Sequence, residues 1–299
     1  MMRTGTAVLA LLVLGSFAQA QEAPLEWKFN EGDKFYIEEK TKVKMTIEVL
    51  GMEVKQDINT TRQSVFTVKK KTEKGYLLEQ KFQEWSSEIK GGPPGLGGDD
   101  GLLNRIARKA TFTVEVTPQG KVLSFKGYRE FLNLMEDENP DEARMFKALI
   151  PQDALSSVLE TLFQVVPADA SEANAKEWKT TSTVNINGVG SQEVVTTFTR
   201  KGTDKGLEVV EIKGKFNFKA PKAGLDGLPF KITSVDLKSP GVTGKMLFDA
   251  KAGRLSVMET KTPISGTMKM EAMGQQIELD LSGTESRSIR VSTKSFRED

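Results

Sequence analysis

The sequence predicts a mainly β (α+β) fold: curved antiparallel sheet(s) formed by two loosely repeated β units, with a two- to three-helix insert between them. Hydrophobic and polar residues alternate along most of the chain, and turn signals separate the alternating stretches, as in antiparallel strands with one buried face. Between residues 128 and 166 the hydrophobic spacing becomes helical. These three observations carry the prediction.

Residues 1–20 have the features of a signal peptide. Arg3 supplies positive charge, residues 7–15 form an apolar run, and residues 18–20 read Ala-Gln-Ala, a small-x-small cleavage site. The apolar run is too short to span a bilayer, and no second run follows, so we expect no transmembrane segment in the mature chain. The protein is therefore expected to be exported, and to be periplasmic or extracellular after cleavage near Ala20.

The N-terminal β unit is expected to span residues 21–127. Within residues 41–49, Val43, Met45, Ile47 and Val49 share one strand face, and polar residues occupy the other. Residues 110–116 repeat this alternation. The Gly- and Pro-rich ribbon at residues 90–101 lacks the ending of a phosphate-binding loop and is expected to be a flexible surface loop.

The helical insert is expected to span residues 128–166. Asn139 is suited to cap a helix that begins at Pro140, and a second helix start follows at Pro151. The second helix carries an apolar stripe that must be buried, and the sheet is the large surface available. Either the helices complete the core, or they cover a cavity of several hundred Å³ in which an apolar ligand binds. In the second case the residues that line the cavity are Leu155, Val158, Leu159, Leu162 and Phe163.

The C-terminal β unit is expected to span residues 167–299, and residues 21–299 are expected to form one compact domain. Its last hairpin, residues 266–291, contains Met268, Met270 and Met273, a spacing that would suit copper(I). Aligned on the turn glycines, residues 267–283 match residues 44–60, where two of the three methionine positions hold Ile and Leu. The alignment indicates apolar packing and a weak internal duplication, and we expect no metal site.

Composition narrows the classes of function. Removing residues 1–20 leaves 41 basic and 41 acidic residues, so nothing favours nucleic acid as a partner. The chain has no His and no Cys, which excludes Ser-His-Asp triads, Cys nucleophiles and the usual zinc, haem or blue-copper ligand sets. We expect no cofactor and no catalytic residue. A hydrolase would need two convergent carboxylates, or a Ser beside a buried Lys, in a cleft.

Residues 25–45 resemble the opening of a family of uncharacterised exported bacterial proteins, a domain of unknown function. The match consists of an apolar-x-Trp-x-Phe step, a Gly-Asp step and an aromatic pair, carried by Trp27, Phe29, Gly32, Asp33, Phe35 and Tyr36. The second half keeps Pro167 and Trp178 but has Ala-Lys before Glu177, where the family has Gly-Asp. The closing hairpin at residues 268–277 is also family-like. The resemblance implies an exported β-rich protein and supplies no catalytic residue.

The first hypothesis for function is a non-enzymatic binding or carrier protein, whose partner is an apolar small molecule or a lipid. Lipoprotein carriers resemble this architecture, which is an analogy of fold only. The alternative is a structural or protein-interaction module of the cell envelope, whose partner is an envelope protein.

Overall fold

The predicted fold class is confirmed by a computed structural model, which describes residues 24–91, 100–187, 190–221, 230–272 and 274–297. In these segments twelve strands form one large, curved and unclosed antiparallel sheet, and four α-helices are inserted between strands. The strands before the helices are β1 (Lys34–Val49), β2 (Met52–Lys71), β3 (Tyr76–Gly91), β4 (Thr111–Val116) and β5 (Val122–Lys126). The helices are α1 (Asp100–Lys109), α2 (Tyr128–Glu138), α3 (Pro140–Leu149) and α4 (Gln152–Phe163). The remaining strands are β6 (Glu177–Ile186), β7 (Gly190–Asp204), β8 (Leu207–Lys219), β9 (Phe230–Lys238), β10 (Val242–Asp249), β11 (Arg254–Ala272) and β12 (Gln275–Ser292).

The strand order joins the two halves of the chain in one sheet. It runs β5-β4-β3-β2-β1-β12-β11-β10-β8-β7-β6, so the first and last strands are neighbours. β9 and β10 pair with successive parts of β11, and Pro240 lies in the break between them. A proline there is consistent with an interrupted strand, because it has no N–H for the ladder.

Three helices occupy the region where the sequence predicts a helical insert. Asn139 caps α3 as predicted, because its Oδ1 accepts a hydrogen bond from the Glu142 N–H at 3.2 Å, and Pro140 is the first helical residue. α4 follows Pro151, also as predicted. It contacts both edge strands, β5 and β6. The apolar stripe of α4 therefore packs against one face of the sheet, which we call the inner face.

α1 is the element that the sequence prediction lacked. The ribbon at residues 90–101 was expected to be a loop, but α1 begins at Asp100. Leu102, Ile106 and Ala107 are buried and α1 contacts β3, which explains why this short segment is helical. Residues 92–99, the rest of the ribbon, lie outside the described part of the chain, as do the signal peptide and residues 222–229.

The N-terminal segment before β1 contacts the end of α4 and stabilises its position on the sheet. Trp27 is fully buried, and its indole N–H donates a hydrogen bond to the carbonyl oxygen of Phe163, the last residue of α4, at 2.8 Å. Its ring contacts Phe163 and Phe248 edge to face. Asp33 forms an ion pair of 2.7 Å with Arg254. The motif residues near the N-terminus therefore have structural roles that link distant parts of the chain.

The two hairpins aligned in the sequence have corresponding places in the structure. In β11, Met268 lies opposite Leu279 and Met270 lies opposite Ile277, and both methionines are half-buried on the inner face. Each methionine therefore faces an aliphatic residue, as apolar packing requires. Met273 lies outside the described residues.

Candidate functional site

The stripe predicted to line a cavity is divided by the structure between two environments. Phe163 is fully buried against Trp27 and Phe66 and borders no cavity of the described part of the chain that the other stripe residues border. The other four residues border a small void of about 40 Å³ over the N-terminal half of the sheet. The three leucines among them are buried, whereas Val158 is half-buried and also borders a larger cavity. The four are Leu155, Val158, Leu159 and Leu162. Their role in ligand binding stays a prediction.

The larger cavity has a volume of about 320 Å³ and lies on the other side of α4. Its upper wall consists of Val158 and Thr161 of α4, with Gln164 and Val165 just after the helix. Its floor is formed by the inner face of the sheet from β6 to β2. The cavity therefore has the expected size, but it lies beside the apolar stripe and not beneath it. Val158 is the stripe residue that borders this larger cavity.

The floor of the cavity has an apolar part and a polar part. Hydroxyl and amide groups are interspersed with the apolar side chains, including Thr180, Ser182 and Gln192. Such a mixture suits a ligand that has both an apolar body and groups that form hydrogen bonds. The apolar side chains of the floor are Val184, Val194, Phe198, Ile212, Val242 and Met258.

A buried ion-pair cluster forms the polar end of the cavity. Glu39 of β1 lies directly opposite Arg62 of β2, and Arg287 comes from β12 on the other side. The Arg62 Nη2 donates to Glu39 Oε2 at 2.7 Å, and the Arg287 Nε donates to Glu39 Oε1 at 2.6 Å. The two guanidinium groups thus hold both oxygens of one carboxylate. These distances are typical of charge-assisted hydrogen bonds.

Glu285 of β12 is the fourth charged residue that borders the cavity. Within the part of the chain that the structure describes, no group donates a hydrogen bond to its carboxyl group or pairs with it within 4.0 Å. Burial raises the pKa of Glu285 above its usual value; the charge of Arg287 opposes this shift, and the charge of Glu39 adds to it.

Glu39 titrates in the opposite direction. Burial alone raises the pKa of its carboxyl group, but the charges and hydrogen bonds of Arg287 and Arg62 outweigh the burial. The net result is a pKa below the ordinary value for a glutamate. Two carboxyl groups that border one cavity therefore differ in the ease with which they take up a proton.

The sequence prediction does not include this cluster, although β1 carries a signal for it. In β1 the buried phase runs through Phe35 and Ile37, and Glu39 occupies the next position in the same phase. A carboxylate in the core-facing phase of a strand needs a partner. Arg62 and Arg287 likewise occupy the inner-face phase of their strands, and the strand register brings the three together.

Two further features bear on the classes of function. In the described segments, no helix is long and apolar enough to cross a membrane. Among the same residues, no group of three or more acidic side chains is arranged to hold a metal ion.

Comparisons with known proteins give a family but no function. A family model described as a family of unknown function (DUF6263) matches residues 100–255. No curated protein matches the chain.

Solved structures show low similarity to this chain. The outer membrane protein OprG from Pseudomonas aeruginosa has 8% identity over 88% of this chain and 97% of its own, with a TM-score of 0.22. The COG4313 outer membrane channel from Pseudomonas putida F1 has 9% identity over 89% and 97%, with a TM-score of 0.25. DynF from the dynemicin biosynthesis pathway of Micromonospora chersina has 11% identity over 95% and 92%, with a TM-score of 0.21. Similarities at these scores carry no argument about function.

Proposed function

The chain belongs to the family of unknown function DUF6263, and from its cavity we propose that it is an exported, non-enzymatic binding or carrier protein for a small apolar or lipidic ligand. The observation that carries the proposal is the cavity of about 320 Å³ between α4 and the inner face of the sheet. Ligand cavities in proteins typically measure about 300–1,000 Å³ and combine apolar walls with a few polar groups. This cavity has both properties.

The position of the cavity supports a carrier in particular. Its floor is the continuous sheet, whereas its upper wall is α4 together with the two residues Gln164 and Val165 near its end, and Val158 of α4 is only half-buried. A displacement of α4 would open the cavity without breaking the strand ladder. The ligand could therefore enter and leave beside the helix.

The large hydrophobic residues that are exposed in the described part of the chain do not favour the interaction-module alternative. They lie at the turn between β1 and β2 and on β3, β5 and α3, and do not gather on one element. Exposed hydrophobic residues scattered in this way are ordinary for a folded protein. They are Leu50, Met52, Ile89, Leu123 and Met145.

A hydrolase is the second candidate, because Glu39 and Glu285 border the same cavity and their pKa values are shifted in opposite directions. Such a pair can act as base and acid. However, both oxygens of Glu39 accept short hydrogen bonds from arginines, so this carboxylate is poorly placed to attack a substrate or to accept a proton. Binding without reaction therefore fits the geometry better.

The test is a titration of the mature chain with N-phenyl-1-naphthylamine, an uncharged apolar fluorescent probe. We expect Thr196→Phe to weaken probe binding at least about tenfold, because Thr196 borders the cavity and the larger side chain would occupy space that the probe needs. Thr197→Phe is the matched control, since Thr197 is the next residue of β7 and points to the other face of the sheet. Equal binding by both variants and the wild type would exclude the cavity as the site.

A further inference from the structure

The charged cluster at the end of the cavity has an unbalanced charge. Arg62 and Arg287 carry two positive charges, and Glu39 neutralises one of them. Glu285 would neutralise the second if it were ionised, but its burial opposes ionisation. While Glu285 is protonated, the four charged residues that border the cavity have a net charge of +1.

The cluster also has unused hydrogen-bond donors. Arg287 donates its Nε–H to Glu39, and within the described segments no other group accepts from its terminal Nη1 and Nη2. A guanidinium group offers five N–H donors in a plane, so four of them stay available on Arg287. The side chain of Arg287 is 20% exposed, and Arg287 borders the cavity. The free donors are therefore accessible to a ligand in the cavity.

We propose that the cavity binds an anionic amphiphile, with a carboxylate or similar acidic head on the free guanidinium edge of Arg287 and an apolar tail over the floor of β6–β8 and β10. This inference rests on the proposed binding function and names its ligand class. A planar guanidinium edge matches the two oxygens of a carboxylate. The apolar floor residues Val194, Phe198 and Ile212 supply the surface for the tail.

The protonation state of Glu285 should control the strength of this binding. The other three charged residues that border the cavity are Arg287 on the same strand, Glu39 on β1 and Arg62 on β2. Thr161 and Gln164, which border the cavity from the side of α4, carry no charge. An ionised Glu285 repels an acidic head, whereas a protonated one can donate a hydrogen bond to it. Binding of an anion should therefore strengthen as the pH falls.

The experiment is isothermal calorimetry of the mature chain with three probes: decanoate and decyltrimethylammonium below their micellar concentrations, and decanol below its solubility limit. We expect decanoate to bind at least about tenfold more tightly than decyltrimethylammonium, which is the size of one charge-assisted hydrogen bond. Acetate and inorganic phosphate are included as small anions without a tail. Binding of either at the strength of decanoate would overturn the assignment to an amphiphile.

Arg287→Gln should weaken decanoate about tenfold or more and change decanol less than about twofold. Arg290→Gln is the matched control, because Arg290 lies on the same strand but pairs with Glu38, away from the cavity. If the cation binds as tightly as decanoate, or if Arg287→Gln leaves decanoate binding unchanged, the inference fails and the proposed function stands. If none of the three amphiphiles binds, the proposed function fails as well.

A second measurement keeps the inference testable if Arg287→Gln does not fold. Decanesulfonate remains anionic throughout the range from about pH 8 to about pH 5, so its pH dependence reports on the protein. The wild type should bind it more tightly as the pH falls, and Glu285→Gln should bind it with little pH dependence. The same slope in both proteins would contradict the role given to Glu285.

Discussion

Glu39→Gln is the substitution that tests the ion-pair cluster most sharply. The glutamate is buried, and its two oxygens accept hydrogen bonds of 2.6 and 2.7 Å from two arginines. Glutamine keeps one oxygen acceptor, but its NH₂ group would face the other guanidinium, which also has only donors. One charge-assisted hydrogen bond is lost and the other is weakened.

The expected loss follows from the exposure of the partners. A hydrogen bond to a charged group contributes about 1.5–3 kcal/mol. The side chains of Arg62 and Arg287 are only 21% and 20% exposed, so water replaces the lost acceptor incompletely. We expect Glu39→Gln to lower the free energy of unfolding by about 2–4 kcal/mol at neutral pH.

Glu38→Gln is the matched control, because Glu38 is the neighbouring residue of β1 on the opposite face. Its cationic partners Lys40 and Arg290 are 49% and 56% exposed and can be hydrated when the charge is removed. The oxygen of the new glutamine can still accept the buried hydrogen bond that the Gln63 Nε2 donates to Glu38. We expect a loss of about 1 kcal/mol or less. Urea denaturation followed by circular dichroism measures both variants. Equal losses would refute the special role of the cluster.

The pH dependence of this difference has a definite sign. The pKa of Glu39 is lowered in the folded protein, so its contribution to stability is present above the unfolded pKa of about 4.3. It is lost as the pH falls through the folded pKa. The deficit of Glu39→Gln should therefore be constant near neutral pH and shrink below about pH 4. A deficit that grows in acid would contradict the assignment.

Four other substitutions test three separate parts of the structure. Glu285→Gln should stabilise the protein at neutral pH, because a carboxyl group whose pKa is raised on folding lowers stability at pH values above its unfolded pKa of about 4.3. In urea denaturation, this gain in the free energy of unfolding should vanish in acid. A loss of stability at neutral pH would contradict the raised pKa of Glu285. Gly51 and Gly120 have φ angles of 77° and 78°, but a Cβ on Gly120 would lie 2.0 Å from the carbonyl oxygen of Phe163, whereas Gly51 has open space. In thermal melts, we expect the free energy of unfolding to fall by about 1 kcal/mol for Gly51→Ala and by at least about 3 kcal/mol for Gly120→Ala. Similar losses for the two variants would be inconsistent with this contact. Trp27→Phe removes a buried hydrogen bond and part of a buried ring, so we expect the free energy of unfolding to fall by about 2 kcal/mol in the same assay. A loss below about 0.5 kcal/mol would show that the indole does not stabilise the contact with α4.

Local patterns explain why much of the fold is predictable from the sequence. Alternation with period two is set by neighbouring residues, so β1, β4 and β8 can be recognised without knowledge of their partners. The start of α3 depends on Asn139 and Pro140 alone. α1 was not predicted because it follows directly on a Gly- and Pro-rich ribbon and spans only ten residues.

The site is less predictable because it depends on contacts between distant residues. Val158, which borders the cavity, belongs to the stripe of α4, and this stripe is a local signal; its role in binding stays a prediction. The partners Glu39 and Arg287 are 248 positions apart in the sequence. Only the pairing of β1 with β12 brings them together, and their register cannot be obtained from either strand alone. The local signal for the cluster is the presence of charged residues at positions of β1, β2 and β12 that point to the inner face.

Native mass spectrometry of the protein purified from its own cell envelope tests the central claim most directly. We expect the wild-type chain to carry one small amphiphilic molecule, which is released on denaturation and identified by its mass. Thr196→Phe, purified in the same way, should lack it, because the larger side chain narrows the cavity. A wild-type mass equal to that of the polypeptide alone, or a molecule that remains bound to Thr196→Phe, would contradict the proposal that this cavity holds the ligand.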